Sequence, residues 1–327
     1  MSTSYIGALD IGGTKIAALV ANADGPLARI TQPTIKTGSS RALGEQVTAL
    51  LYEACDQAGV SRGLLKTIGV CSCGPFVKID GMVGLVTPNI CGGLRHSPDL
   101  PNDWKVIPLE EVMRENFDRI VIENDCVGAL VAERTFGAVQ DEPNCVYATW
   151  STGIGFGFCV DGRVLRGKHG NAGHAGHMLM SRESDALCGC GNRGDLEAMI
   201  SGRNIGAALG MSATDLFTAA RKGDQAARDM AVEAAQWFGR ALYNIAAMLD
   251  SRTFVIGGSV WIHHGEWLAP FVRKEIESRL PALTEGVSIV PAALEGLVAD
   301  VGALSLVMPA EWIPQWRQTR PWRKQAP

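Results

Sequence analysis

Tyr5 to Leu9 is an apolar run that closes on Asp10. The segment I-G-G-T-K then leads into a second apolar run, Ile16 to Val20, before A-D-G at 23 to 25. Runs this short, punctuated by glycine, read as strand, glycine turn, strand, turn. From Ala42 to Ala58 apolar residues fall at 43, 47, 50, 51, 54 and 58, a helical spacing that ends at Gly59. Ile68 to Val70 and Ile120 to Ile122 read as buried strands. The second runs straight into E-N-D at 123 to 125, and a helix is predicted from Val127 to about Phe136, stopping at Gly137.

The opening pattern then returns. Cys145 to Gly162, C-V-Y-A-T-W-S-T-G-I-G-F-G-F-C-V-D-G, is again strand, glycine turn, strand, D-G turn, offset by about 140 residues. Such a repeat suggests two related halves facing each other across a cleft. Helical stretches follow at Leu196 to Leu209 and Gln225 to Leu249, then the strand T-F-V-I ending in the Gly257–Gly258 pair, then a last apolar helix, Ala299 to Val307. The tail after it carries three Trp and a local charge of about +3. It reads as a subunit contact in preference to a frayed end, because bare Trp is costly to leave in water.

At 327 residues, 46% hydrophobic and 20% charged, the chain fits a soluble globular protein of two domains. A net charge of -4 gives no electrostatic footprint for nucleic acid, so an acidic ligand must be met locally. No run approaches the ~18 apolar residues of a membrane span, and the N-terminus lacks a basic, then apolar leader. A cytoplasmic protein is expected. Nine cysteines, an odd number spread over strands and loops, do not suggest a disulfide framework.

Glycine at a strand-to-strand turn lets backbone N–H groups converge on an anion with no Cβ in the way. Each of the three glycine turns reads alone either as a tight hairpin or as a phosphate loop; three together favour phosphate. Asp10 precedes the first, where a carboxylate can orient Mg²⁺ or its waters against a polyphosphate. Lys15 is either a phosphate contact or a solvated cation. Asp125, with Asn124 beside it, is either a helix N-cap or a reactive carboxylate delivered by an apolar strand. Cys188 and Cys190, with His177 eleven residues upstream, look like three ligands of a tetrahedral zinc. His96, His169, His263 and His264 take no role.

In order along the chain, D-I-G-G-T-K at 10 to 15, E-N-D at 123 to 125, S-T-G-I-G at 151 to 155, G-H-A-G-H at 173 to 177, C-G-C-G-N-R-G-D-L-E at 188 to 197 and V-I-G-G-S-V at 255 to 260 resemble the motif series of the ROK family of sugar kinases. The resemblance implies an α/β, actin-like ATPase (ribonuclease H-like) fold with two domains flanking an active-site cleft. It divides the chain into a small N-terminal α/β domain over 1–123, with the helix at about 299–308 packing back on it, a larger domain over 124–298 with a metal-binding loop, and the basic tail over 309–327.

By the same resemblance Asp10, Gly12, Gly13, Thr14 and Lys15 form the first phosphate loop, Thr152, Gly153 and Gly155 the second, and Gly257 with Gly258 the adenosine side. Asp125 is implied as the base that takes the proton from a sugar 6-hydroxyl attacking the γ-phosphate of ATP, with Mg²⁺ as partner. Gly74, Asn89, Asn124, His174, His177 and Glu197 are implied as sugar contacts. His174 stands where glucokinases of the family have Glu. A neutral imidazole both donates and accepts hydrogen bonds, so the sugar contact changes character there.

Bacterial N-acetylmannosamine kinases share that His, and their asparagine-glycine-glycine segment is similar to N-I-C-G-G-L at 89 to 94. An N-acetylmannosamine-like amino-hexose is therefore the preferred substrate, with glucose and kanosamine as alternatives. The family's structural zinc clip is one His and three Cys. Asp195 occupies the third Cys place, which implies His177, Cys188, Cys190 and Asp195 as ligands. Phe156 replaces a further loop glycine, and it either narrows the pocket or points away.

Repressors of the family carry a helix-turn-helix before the sugar domain, for which a first strand at about Tyr5 is expected to leave no room. A catalytically silent sugar sensor is the rival from the binding class, and Asp10 and Asp125 speak against it. Partners are expected to be sugar and ATP, with no nucleic acid and no membrane, in a homodimer or homotetramer.

Overall fold

A computed structural model describes residues 4–94 and 99–323. His96 and the last four residues of the tail lie outside them. The chain divides into two compact units, one formed by Met1–Phe136, Arg166–Asn171 and Gly296–Pro327, the other by Gly137–Leu165 and Ala172–Glu295.

Along the chain, the first unit contains β1 (Tyr5–Ile11), β2 (Lys15–Asn22), β3 (Gly25–Pro33), α1 (Ala42–Ala58), β4 (Leu65–Ser72), β5 (Phe76–Ile79), β6 (Met82–Leu85), α2 (Leu109–Arg114), β7 (Arg119–Asn124) and α3 (Asp125–Phe136). The second unit holds β8 (Cys145–Trp150), β9 (Ile154–Val160), β10 (Arg163–Val164), α4 (Leu196–Ile200), α5 (Ala213–Arg221), α6 (Gln225–Leu249), β11 (Thr253–Gly257), α7 (Ser259–Glu277), α8 (Pro281–Thr284) and β12 (Ser288–Pro291). The chain returns to the first unit with α9 (Val298–Ser305) and α10 (Ile313–Thr319).

The two main sheets share one topology. Their orders are β3-β2-β1-β4-β7 and β10-β9-β8-β11-β12, each an antiparallel meander of three strands extended by two parallel ones. The repeat in the sequence is thus a repeat of strand order. In the first unit Leu9, Ile16, Val20, Leu43, Leu50, Ile68 and Val70 build the core between the sheet and α1. In the second, Trp150, Phe156, Phe238 and Trp261 join the apolar face of α6.

Helices α3 and α9 cross with their backbones in contact. A Cβ on Gly302 would lie 2.9 Å from the Gly128 carbonyl carbon, and one on Gly69 of β4 would strike the Ala303 carbonyl oxygen. Only glycine permits this approach, which lays the late helix α9 on the first sheet.

Two expectations change, and one alternative is decided. The helix expected from Leu196 to Leu209 stops at Ile200, because the Gly202 N–H donates to Ser151 O at 2.7 Å instead of continuing the helical ladder. Phe156 points away from its turn into the second core, fully buried and stacked near Phe158 and Phe238. The Trp-rich tail is covered by its own chain: Trp316 is completely buried, its indole N–H donates to Ala23 O at 2.9 Å, and Trp312 and Trp322 are buried as well. The water-exposure argument for a subunit contact through these indoles is thereby removed.

Candidate active site

In the first unit three parallel strands end side by side. Asp10 pairs with Cys71, which pairs with Glu123; the next rung is Ile11, Ser72 and Asn124. Past that rung come Gly12–Gly13, Cys73–Gly74 and Asp125. Residues more than a hundred positions apart therefore share the carboxyl edge of an open sheet, where ligands of α/β proteins bind.

The first glycine turn is closed by Gly12 N–H donating to Lys15 O at 3.0 Å, and it is braced from beyond β3 by the Thr34 hydroxyl on Gly12 O at 2.7 Å. Thr14 and Lys15 are exposed on it. Asn89 abuts the turn, since a Cβ on Gly13 would fall 2.9 Å from the Asn89 Cβ. The Cys73 N–H donates to Ile11 O at 3.2 Å, which ties the Gly74 segment to the same edge.

Helix α3 opens at Asp125. Asn124 Oδ1 accepts the Cys126 N–H at 3.0 Å, so the asparagine caps the helix. Asp125 Oδ1 lies 2.8 Å from the same nitrogen. The side chain is exposed at the start of the helix. Asp10 differs. Burial, and then the carboxylates of Asp300 and Asp125, push its carboxyl up to about 6 against the pull of Lys15 and Arg29. Asp300, nearly buried in the first turn of α9, is held by Arg29, whose Nε donates to Oδ2 at 2.7 Å.

In the second unit the corresponding edge belongs to β8 and β11. The Ser151 N–H donates to Gly153 O at 3.0 Å and closes the second glycine turn. Glu197 Oε2 accepts the Ile154 N–H at 2.9 Å; a Cβ on Gly153 would lie 2.7 Å from that oxygen. Thr152 is exposed at the tip, and Gly155 pairs with Thr149 across β8 and β9. The third turn follows β11. Gly258 has φ +87°, and a Cβ there would be 2.5 Å from Trp150 O, so the second and third turns touch.

The G-H-A-G-H segment is a short 3₁₀ turn, His174–His177, fastened to β9 by the Phe156 N–H on Gly173 O at 3.0 Å. Its two imidazoles lie 6.1 Å apart. His177 Nδ1 is 3.3 Å from Asp195 Oδ2 and 3.5 Å from Cys188 Sγ, and Cys190 Sγ is 3.4 Å from the same Asp195 oxygen. All four donor atoms lie within 4.8 Å of one another. A tetrahedral zinc with bonds of about 2.0–2.3 Å sets ligand-to-ligand edges of about 3.3–3.8 Å; the donor set fits zinc in chemistry, and the three separations of 3.3, 3.5 and 3.4 Å fall in that range. Asp195 is completely buried, and its other oxygen caps α4 by accepting the Ala198 N–H at 2.7 Å. The helix cap thus aims the carboxylate at the cluster.

Each unit gathers its own share of the expected residues. Asp10, Gly12, Gly13, Gly74, Asn89, Asn124 and Asp125 belong to the first, and the second and third turns, His174, His177, Glu197 and the cluster to the second. Sequence reading passed over Asp300 and Arg29. The available signal was a lone carboxylate in the otherwise apolar stretch V-A-D-V-G-A-L.

The ROK family profile matches residues 6–309. An N-acetylmannosamine kinase of Escherichia coli O9:H4 (strain HS) is 35% identical over 265 residues, 79% of this chain and 84% of that protein. Among solved structures, a ROK hexokinase from Thermus thermophilus is 29% identical with a TM-score of 0.75, covering 93% of this chain and 97% of its own. A ROK family glucokinase from Streptomyces griseus, in complex with glucose and AMPPNP, is 27% identical with a TM-score of 0.69 over 94% and 99%.

Proposed function

The chain belongs to the ROK family, has its actin-like ATPase fold and is a sugar kinase; from that premise we propose that it transfers the γ-phosphoryl group of ATP to the 6-hydroxyl of an N-acetylmannosamine-like amino-hexose. The observation that carries this reading is the exposed Asp125 carboxylate at the strand edge that also bears the Asp10 turn.

Asp125 accepts the proton of the sugar hydroxyl as its oxygen bonds to phosphorus and the bond to the leaving ADP oxygen breaks. Its exposure at the start of α3 leaves it reachable by substrate. The N–H groups of the first two glycine turns donate to phosphate oxygens, with Thr14, Lys15 and Thr152 at their exposed tips, and Gly257 with Gly258 leaves room for the adenosine. Asp10 orients the cation. Mg²⁺, when bound with ATP, screens the phosphate charge. Gly74, Asn89, Asn124, His174, His177 and Glu197 contact the sugar.

His177, Cys188, Cys190 and Asp195 hold a structural zinc that fixes the loop carrying His177 and Glu197. His174, able both to donate and to accept, supports the amino-hexose over glucose, as does the E. coli relative's name. Among the described residues no helix is long and apolar enough to cross a membrane. A cytoplasmic homodimer or homotetramer goes with this reading; sedimentation of the purified protein tests the assembly.

ADP release in a coupled assay over N-acetylmannosamine, N-acetylglucosamine, kanosamine, glucose and mannose, with NMR of the product, tests the reading. The highest kcat/KM is expected for N-acetylmannosamine, with phosphate on O6. A preference for glucose overturns the substrate, and saturable sugar binding with no turnover of any sugar favours the silent sensor.

A further inference from the structure

The first residue of β5 presents both of its peptide groups to a distant side chain. Phe76 faces Leu85 across β5 and β6, and the Val86 N–H donates to Pro75 O at 3.0 Å. Leu85 uses its own N–H and carbonyl on Ile107, each at 2.9 Å. The rung between Phe76 and Leu85 is therefore of the kind that exchanges no bond, and the N–H and carbonyl of Phe76 point out of this two-stranded sheet. Asn171 answers both, 95 positions on: its Oδ1 accepts the Phe76 N–H at 2.8 Å, and its Nδ2 donates to Phe76 O at 2.8 Å. A primary amide carries acceptor and donor side by side, so it stands in for the peptide of a missing neighbouring strand.

Asn171 closes the segment 166–171, which belongs to the first unit although the chain on either side of it belongs to the second. The other end of the segment is fastened as well. Arg166 Nε donates to Glu123 Oε1, on a carboxylate that β7 buries one residue before Asn124. Gly170 turns the chain with φ +83°, and a Cβ there would lie 3.3 Å from the Phe76 ring. The segment thus grips the first unit at Glu123 and at Phe76. Asn124 and Asp125 follow the one, and Gly74 stands two residues before the other. Gly74 is held from both sides, by the Cys73 N–H on Ile11 O at 3.2 Å and by the Asn171 amide on Phe76.

We infer that Asn171 is a positioning residue for the sugar, its amide fixing the Phe76 rung and through it the backbone of Gly74. The inference rests on the kinase reading above and deepens it. With the amide gone, the Gly74–Phe76 backbone gains freedom that bound sugar has to remove again, so the loss falls on sugar binding. The phosphate turns keep their own ties and are spared.

The test is steady-state kinetics with MgATP and N-acetylmannosamine, or whichever screened sugar has the highest kcat/KM, for the wild type, Asn171→Ala and Asn171→Asp. Loss of the paired hydrogen bonds in Asn171→Ala is expected to raise the sugar KM by about tenfold, with the ATP KM and kcat within about threefold of the wild type. Asn171→Asp keeps the size and shape of the side chain but turns a carboxylate oxygen toward Phe76 O, where no donor is left. Its sugar KM is expected to rise at least as far as that of Asn171→Ala.

A wild-type sugar KM in Asn171→Asp means that the side chain only fills space, and it overturns the inference. So does a lowered melting temperature with both KM values unchanged, or with the ATP KM raised as much as the sugar KM, since Asn171 is then a structural tie alone. Failure of the kinase reading is distinguishable, because the wild type itself then turns over no sugar and the inference falls with it.

Discussion

Glu197 reaches two features at once: its Oε2 accepts the Ile154 N–H at 2.9 Å, and its Oε1 lies 3.6 Å from Cys188 Sγ. One carboxylate therefore braces the second glycine turn from the side of the His/Cys cluster. A residue that only contacted sugar would move only the sugar KM on mutation. Glu197→Ala is expected to raise the KM for ATP as well, by about tenfold, because a charged acceptor is lost from a backbone N–H of the turn. Glu197→Gln, whose amide oxygen still accepts that N–H, recovers the ATP effect. A change in the sugar KM alone refutes the brace.

The cluster itself predicts one zinc per chain by elemental analysis. Asp195 serves two purposes, so the choice of variant matters: Asp195→Ala removes the cap of α4 together with the ligand. Asp195→Asn keeps an oxygen for the Ala198 N–H and weakens only the ligand. Zinc is expected to fall to a small fraction of one equivalent in Asp195→Asn and in Cys188→Ser, and chelation of the wild type should lower its melting temperature. Burial pushes the Cys188 thiol up in the absence of a cation. Binding therefore releases a proton and weakens as pH falls. Wild-type protein free of zinc after exposure to it, with unaltered stability in chelator, rejects the site.

Removing the proposed base while keeping its shape isolates the chemical step. Asp125→Asn should reduce kcat by about a thousandfold, in the range general bases supply. Sugar affinity, measured by calorimetry, should stay within about threefold, because an uncharged amide still reaches the same hydroxyl. A variant with kcat near that of the wild type removes Asp125 from the mechanism.

Much of this was legible in the sequence, and the reasons are local. The Asp10 and Trp150 strand ends were readable because an apolar run of strand length breaks at glycine, and the repeat of that pattern anticipated two sheets of one topology. His177, Cys188, Cys190 and Asp195 were picked out by resemblance to the family's clip, and the structure brings their donor atoms within 4.8 Å of one another. Three things were not readable. The helix that stops at Ile200 does so for a hydrogen bond to Ser151, fifty positions away, which periodicity cannot contain. Trp316 finds its cover in Ala23 and Phe136, equally remote partners. Asp300 is important only because α9 returns to the first sheet beside Asp10.

That return has a consequence with pH. Burial and the Asp300 and Asp125 charges raise the Asp10 carboxyl from 3.8 to about 6. A carboxyl raised in the folded state binds its proton more tightly there than in the unfolded chain. Its stabilising contribution is complete below about 3.8 and is lost as pH rises through about 6. Asp10→Asn should therefore be more stable than the wild type at pH 7, on the order of 2 kcal/mol, with the difference shrinking toward pH 4. Activity moves the other way. The variant loses cation-dependent turnover, and wild-type kcat/KM for MgATP should fall on the acid side with an apparent pKa near 6, the value for Asp10. Denaturant unfolding at pH 4, 5.5 and 7 measures the first effect; a stability difference that is constant across pH removes Asp10 as its source.

The tail offers the most direct test of the packing. Trp316 is fully buried with its ring 6.1 Å from Phe136 and 6.2 Å from Trp322, and Arg317 Nε donates to Thr135 O at 2.8 Å, so α10 is bound to the end of α3. Pro321 reaches the β2–β3 turn, where a Cβ on Gly25 would lie 2.7 Å from its ring. Trp316→Ala removes both a large buried surface and the hydrogen bond to Ala23 O, and should cost about 3–5 kcal/mol in denaturant unfolding. Trp316→Phe fills most of the volume and leaves the carbonyl unpaired, at a cost of about 1–3 kcal/mol. If the indoles served chiefly to join subunits, Trp316→Ala would instead change the sedimentation coefficient and leave the unfolding midpoint of the separated chain where it was.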